Sequence, residues 1–137
     1  MAAEFNFHAD PEAAARVLAA FGARAELVPW EATLACPLPW VWAERGLLAL
    51  LLGRYRRLAA ADDADLVLCD LLAAALALDP TLAAARRVLG ARVALSGEAR
   101  GALLLDWYGR HALVPVTLVE RLDAPRLLDM CRPLTEL

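Results

Sequence analysis

The order of hydrophobic and polar positions near the start of the chain predicts alternating elements. Asp10 can cap a helix, Pro11 fits a first helical position, and Gly22 suits the residue after the last turn. Polar and apolar residues alternate over Glu4–His8, and Ala25–Pro29 is an apolar run, so both segments favour strands. A strand, a helix and a strand in this order predict a βαβ unit with parallel pairing.

Longer apolar segments follow in the middle of the chain. Trp40–Ala61 has a helical pattern, with Gly46 and Gly53 as the positions where it could break. Leu71–Leu78 is apolar on every side, which predicts a buried helix that begins after Asp70.

The last third of the chain indicates strands. The runs Arg87–Leu95 and Ala102–Trp107 are joined by the glycine-bearing loop Ser96–Gly101, which predicts a hairpin. Leu113–Arg121 favours a further strand, and Pro125–Cys131 a closing helix. The whole pattern predicts a mixed α/β fold, with residues 1–137 as a single domain.

Composition narrows the class of protein. Hydrophobic residues make up 61% of the chain and the mean hydropathy is +0.48, which excludes a disordered tail. The formal net charge is -3, so no strong basic field directs the chain to nucleic acid or to an anionic membrane. The most apolar windows are Gly46–Gly53, which is too short to span a bilayer, and Leu66–Leu78, which carries Asp70.

The cysteines and the N-terminal residues bear on location. Cys36, Cys69 and Cys131 are an odd number without metal-site spacing, so we expect free thiols in a reducing compartment. The N-terminal residues have neither a basic nor an apolar signal region. We therefore expect a cytoplasmic protein that does not bind a membrane.

Three polar residues are candidates for chemistry. In a strand, Glu4 and Asn6 would leave the same face, where a carboxylate and an amide can hold a polyol; a solvated edge strand is the alternative. Asp70 adjoins apolar residues on both sides and a buried carboxylate needs a partner, so it is either a helix N-cap or a calcium or sugar ligand. A cap that also presents an outward oxygen would combine both roles.

Other candidates have simpler interpretations. The acidic cluster Asp62, Asp63 and Asp65 lacks a calcium-loop pattern and favours a solvated loop. His8 and His111 are far apart in sequence and favour structural or surface roles. The tryptophans favour core or subunit contacts, and two of them could also form an apolar lid; all four are Trp30, Trp40, Trp42 and Trp107.

Several segments resemble the inosine–uridine-preferring nucleoside hydrolases, in the same order as in that family. Ala3–Ala14 resembles the signature A-E-F-N-x-x-x-D-P-E-A-A, and Leu27–Thr33 the strand and turn after that helix. Cys69–Ala73 resembles the family segment H-D-P-L-A, and Ser96–Gly101 with Asp106 resembles the G-x-x-x-R-G hairpin and its following aspartate.

The resemblance implies an activity and roles for individual residues. Members of the family hydrolyse the N-glycosidic bond of ribonucleosides, with a calcium ion that holds the ribose hydroxyls and activates water. Glu4 and Asn6 would be the ribose-binding pair, and Asp70 a ligand of both calcium and ribose. Cys69 stands where the family has the histidine that assists the leaving base, and Leu71 where it has proline.

The resemblance also implies a missing part. The family's Asp-rich loop, D-x-D-x-x-x-D-D, is not found in this sequence, so we expect the C-terminal half of a hydrolase with an incomplete calcium site. The expected fold is a partial one, with parallel strands, helices and a C-terminal antiparallel hairpin. We expect little activity from this chain alone. The alternative is a non-catalytic interaction protein or fragment that pairs with itself, with the missing half or with a full-length relative.

These expectations meet in one spatial prediction. Glu4 and Asn6 should converge with Asp70, as parts of one sugar pocket.

Overall fold

A computed structural model of the chain describes residues 3–58 and 66–135. The chain divides into two compact units. The first unit contains the described residues up to Leu27 together with Arg86–Val119. The second unit contains the described residues of Val28–Ala85 and those from Glu120 onward.

The strands form one mixed sheet. They are β1 (Glu26–Leu27), β2 (Ala83–Val93), β3 (Leu103–Asp106) and β4 (Val114–Leu122), in the order β1-β4-β2-β3. β1 pairs with β4 in parallel, and β2 pairs with β3 antiparallel. The predicted hairpin and mixed α/β class are therefore confirmed.

The first helix corrects the prediction of a strand over Glu4–His8. Phe5–Ala9 forms α1, a helix of five residues that Glu4 caps. The Glu4 carboxylate accepts hydrogen bonds from the backbone N–H groups of Asn6 and Phe7 at 2.9 and 3.2 Å. This capping satisfies two donors that a strand would have to pair elsewhere, and a five-residue alternation is too short to outweigh it.

The second helix, α2 (Pro11–Phe21), matches its prediction. The Asp10 carboxylate accepts a hydrogen bond from the Ala13 N–H at 2.9 Å, and Gly22 ends the helix with a φ of 50°. The predicted βαβ unit is wrong, however, because no strand precedes α2 among the described residues and the two-residue β1 pairs with β4.

The core of the first unit lies between α2 and the sheet. Its buried members are Leu18, Ala91, Val93 and Val116. Phe7 of α1 packs against this cluster, which fixes one side of the short helix. The packing of Phe7 against this core gives the five-residue helix support that it lacks on its own.

The second unit is mainly helical. Its α-helices are α3 (Trp30–Leu34), α4 (Gly46–Leu58), α5 (Cys69–Leu78) and α6 (Ala124–Cys131). Short 3-10 segments cover Trp40–Glu44, Pro80–Leu82 and Arg132–Thr135. The predicted helix over Trp40–Ala61 breaks at Gly46, which has a φ of 59°, and its last three residues lie outside the described part.

The helix α5 is only partly buried, which corrects the prediction of a helix buried on every side. Its buried residues are Leu72, Ala75 and Leu76, which follow the spacing of one helical face. Leu78 is 79% exposed. The run is apolar all round largely because it is rich in alanine, a residue that tolerates exposure.

The tryptophans also depart in part from the predicted core. Trp30 and Trp107 are half exposed, and the Arg87 guanidinium lies 5.5 Å from the centroid of the Trp107 ring. Trp40 is half-buried. Within residues 3–58 and 66–135, no helix has the length and apolar character that a bilayer span requires.

Candidate functional site

Glu4 and Asn6 form a linked polar pair at the start of α1. The Asn6 side-chain amide donates a hydrogen bond to Glu4 Oε1 at 3.2 Å, while Glu4 Oε2 accepts from two backbone N–H groups. Helix capping thus brings the two side chains together, in place of the predicted shared strand face. Both residues are exposed, so a carboxylate and an amide are presented to solvent as a preorganised acceptor and donor pair.

The segment that bears this pair contacts the turn of the β2–β3 hairpin. Arg100 makes a two-pronged ion pair with Glu12, at 2.7 and 3.0 Å, and its guanidinium also donates to the Leu95 carbonyl at 3.1 Å. This hydrogen bonding holds the pKa of the Glu12 carboxyl below its usual value. The two sequence motifs are therefore joined in space within the first unit.

Asp106 organises the chain after β3. This residue is 8% exposed, and its carboxylate accepts backbone N–H groups of Tyr108 at 3.3 Å and of His111 at 2.6 Å. Several interactions lower the pKa of Asp106, and the hydrogen bond from the His111 backbone N–H has the largest effect. The aspartate that follows the hairpin motif therefore shapes a turn, and the exposed His111 takes part through its backbone.

Asp70 lies in the first turn of α5, where the structure corrects its predicted surroundings. The N-cap is Leu68, which has no side-chain capping bond, so the N-cap prediction for Asp70 is wrong. Asp70 is exposed and not the buried carboxylate expected between apolar neighbours. Its negative charge still suits the positive end of the helix.

Cys69 precedes Asp70 and has a neighbour, Thr33, that is not among the predicted site residues. The hydroxyl of Thr33, on α3, lies 3.9 Å from the Cys69 sulfur and donates a hydrogen bond to the Trp30 carbonyl at 2.7 Å. Thr33 is fully buried, whereas Cys69 is partly exposed. The only sequence signal for Thr33 was its place in the segment Leu27–Thr33, which also resembles the hydrolase family.

The predicted site residues divide between the two units. Glu4 and Asn6 belong to the first, and Cys69 and Asp70 belong to the second. Their convergence on one sugar therefore stays a prediction. His8 is exposed on α1, and Asp62, Asp63 and Asp65 lie outside the described residues.

Metal-ligating side chains are sparse in the described part of the chain. No three His, Cys, Asp or Glu residues within it come together as a group that could hold a metal ion. Calcium takes six to eight oxygen ligands. The exposed Asp70 and its described neighbours therefore do not fit a calcium site by themselves.

The cysteines differ in surroundings. All three are free thiols; Cys36 and Cys131 are buried, and this burial raises the pKa of each thiol. A thiol with a raised pKa carries little thiolate near neutral pH and reacts slowly. Cys69 is thus the most accessible of the three thiols.

Comparisons with known proteins agree on one family. A family model described as inosine-uridine preferring nucleoside hydrolase matches residues 1–129. An inosine-guanosine nucleoside hydrolase of known structure is 28% identical, with a TM-score of 0.85 over 99% of this chain and 47% of that one. No curated protein matches the chain.

Two further solved structures support the fold alone. A plant nucleoside hydrolase is 22% identical, with a TM-score of 0.80 over 99% of this chain and 48% of that one. An inosine-uridine preferring nucleoside hydrolase from Bacillus anthracis is 24% identical, with a TM-score of 0.70 over 98% and 43%. The chain therefore spans less than half the length of each of the three structures.

Proposed function

Because the chain belongs to the inosine-uridine preferring nucleoside hydrolase family, we propose that it serves the hydrolysis of ribonucleosides to ribose and free base. The family match over residues 1–129 carries this proposal. The 28% identity to an inosine-guanosine nucleoside hydrolase supports it, and suggests a purine nucleoside as the first substrate to test.

The proposed chemistry adds water across the N-glycosidic bond. The bond between C1′ and the base nitrogen breaks, the water oxygen bonds to C1′, and the base leaves with a proton. Positive charge develops on the sugar in the transition state, so residues that hold the ribose hydroxyls also orient the reacting carbon.

We assign sugar binding to Glu4, Asn6 and Asp70. The linked pair at α1 offers an acceptor and an amide of fixed relative position, which suits adjacent hydroxyl groups. Asp70 is exposed at the start of α5, where its carboxylate can accept from a hydroxyl. These assignments follow the family motifs residue by residue.

We assign Cys69 to the leaving-group side of the reaction. It occupies the position of the family's histidine, and its sulfur lies 3.9 Å from the Thr33 hydroxyl. Thiols are in general weaker acids than the imidazolium group, so we expect a cysteine at this position to protonate the leaving base more slowly than the family's histidine would.

The lack of a fitting calcium site among the described residues limits the activity that we expect from this chain alone. The family uses a calcium ion, but the described residues do not bring together a group that fits one. We therefore propose that the 137 residues alone hydrolyse nucleosides poorly, and that other polypeptide sequence must complete the site. The three free thiols also favour a reducing compartment such as the cytoplasm.

Base release from inosine tests the proposal. The purified chain is assayed with inosine and calcium, alone and mixed with the separately produced N-terminal half of a nucleoside hydrolase. We expect activity only in the mixture, and Asp70→Asn in this chain should remove it. Rapid base release by the chain alone would contradict the predicted impairment, and inactivity of every mixture would count against a catalytic role.

A second candidate function is a non-catalytic interaction protein that pairs with itself or with a full-length relative. The exposed apolar side chains of α4 favour it, since Leu50 is 80% exposed and Leu51 64%. Light scattering of the purified chain discriminates between the proposals. A stable dimer that Leu50→Glu disrupts, together with no activity in any mixture, would favour pairing over catalysis.

A further inference from the structure

The turn of the β2–β3 hairpin lies against the helix that bears the proposed ribose pair. Gly101 is buried in this turn and has a φ of 87°. A Cβ at this position would lie 3.0 Å from the Cα of His8 and 3.1 Å from the carbonyl oxygen of Phe7. These are backbone atoms of α1, so a methyl group at residue 101 would push on the helix and not on a flexible side chain.

The same turn holds the next helix through a charged contact. The two guanidinium nitrogens of Arg100 bind the two carboxylate oxygens of Glu12, in the first turn of α2. A fork of this kind fixes direction as well as distance. The backbone of Asp10 joins the two helices, since this residue ends α1 and caps α2.

The turn itself is firmly held. The Gly101 N–H donates to the Ala94 carbonyl at 2.7 Å, and the Ala94 N–H donates to the Ala102 carbonyl at 2.9 Å. The Arg100 guanidinium adds its bond to Leu95. Adjacent residues of one rigid turn therefore contact both helices that flank Asp10.

Such support matters because α1 has only five residues and none of them is fully buried. A helix of this length does not hold its geometry alone. Phe7 anchors one side in the core, and the hairpin turn contacts the backbone on another. The position of Glu4 and Asn6 thus depends on residues about ninety positions away.

We propose that Arg100 and Gly101 are positioning residues that set the place of the Glu4–Asn6 pair for ribose recognition. This inference rests on the proposed function. It assigns a role to the hairpin turn Ser96–Gly101, which lies in the same unit as Glu4 and Asn6. Small displacements of binding groups are costly, and about 1 Å can reduce a rate a hundredfold.

The glycines of the turn offer a matched comparison. Gly97 also has a positive φ, of 71°, but a Cβ there would meet nothing within 4 Å. Gly97→Ala therefore introduces backbone strain without pressure on α1, whereas Gly101→Ala introduces both. Arg100→Ala removes the fork without strain, and Arg92→Ala, at an exposed position of β2, is its control.

The amide resonances of Asn6 and Phe7 in the ¹⁵N-labelled 137-residue chain report the position of α1. We expect Gly101→Ala and Arg100→Ala to shift them, and Gly97→Ala and Arg92→Ala to leave them in place. Equal shifts in variants and controls, or no shift in any variant, would overturn the proposal. If Gly101→Ala does not fold, the Arg100 and Arg92 pair decides.

Titration with inosine connects position to recognition, with each labelled variant mixed with calcium and the separately produced N-terminal half of a nucleoside hydrolase. We expect about a tenfold lower affinity for Arg100→Ala and partial recovery in Arg100→Lys. The urea midpoint of Arg100→Ala should fall only slightly relative to Arg92→Ala, because the ion pair with Glu12 is exposed. A loss of affinity that only follows a loss of stability would overturn the positioning role. If inosine shifts no resonance of the unmodified chain in this mixture, the proposed function fails, while the amide comparison on the chain alone still decides whether the turn positions α1.

Discussion

At the scale of single residues, helix capping decides what the N-terminal motif presents. Glu4 satisfies two N–H groups of α1 and also holds the Asn6 amide. A carboxylate engaged in this way has little rotational freedom left to lose when a ligand binds, which supports the proposal that it recognises a sugar. The same bonds make the pair part of the local fold.

Asp106 allows a prediction about the turn after β3. Asp106→Asn replaces one carboxylate oxygen with a donor that faces backbone N–H groups, so at least one of the bonds to Tyr108 and His111 is lost. We expect a lower urea midpoint than for Asp129→Asn, whose carboxylate binds only the exposed Arg132 side chain in the described contacts. Equal midpoints in urea unfolding would show that the turn does not depend on this carboxylate.

The thiols allow a second prediction at this scale. Cys69 is partly exposed, whereas Cys36 and Cys131 are buried with raised pKa values. A maleimide at neutral pH should therefore label Cys69 first, by about an order of magnitude in rate. Mass spectrometry of peptides from timed samples locates the label, and Cys69→Ser should remove the fast phase. A fast phase on Cys36 would contradict the described packing.

At the scale of elements, the helix signals in the sequence differ in how well they predict where a helix forms. Asp10, Pro11 and Gly22 act within a few residues of each other, and α2 begins and ends where they predict. Glu4 also acts locally, but glutamate is not among the preferred capping residues, so alternation suggested a strand instead. The two-residue β1 depends on pairing with β4, about ninety residues later, which no local pattern could reveal.

The candidate site shows the same division. Motif resemblance indicates Cys69 and Asp70 as site residues. Because α5 starts at Cys69, however, Asp70 is an exposed residue of the first turn and not a buried cap. No local pattern indicates Thr33, because its contact with Cys69 joins positions 36 residues apart. Interactions between neighbouring residues can be predicted from the local sequence, whereas contacts between residues that folding brings together cannot.

The helix α5 carries a prediction about its buried face. Leu72 is fully buried and Leu78 is 79% exposed on the same helix. Leu72→Ala should lower the free energy of unfolding by about 2–5 kcal/mol, whereas Leu78→Ala should change it by less than about 0.5 kcal/mol. Urea denaturation measures both variants. A similar cost for the two would mean that the orientation of α5 is wrong.

At the scale of the whole molecule, ionisable groups set the pH range of stability. Bonds from Arg100 lower the pKa of Glu12, bonds from Thr81 lower that of Asp79, and the His111 backbone lowers that of Asp106. For each carboxyl the folded-state pKa lies below the unfolded-state value. Their contribution to stability is therefore present above the unfolded-state pKa of about 4 and is lost as the pH falls through the folded-state pKa.

The buried thiols affect stability at alkaline pH. Together with the carboxyl groups, they predict that stability declines at both low and high pH. Cys36 and Cys131 have raised pKa values, so their contribution is present below the unfolded-state value and is lost as the pH rises through the folded-state one. We expect the urea midpoint to be highest between about pH 5 and pH 8.

The double variant Cys36→Ala and Cys131→Ala tests the alkaline decline. It should have a lower urea midpoint at every pH, but this midpoint should fall less steeply on the alkaline side, because alanine does not ionise. An alkaline decline of unchanged steepness in that variant would assign it to other groups, and a midpoint that rises from pH 5 to pH 3 would contradict the described carboxylate contacts.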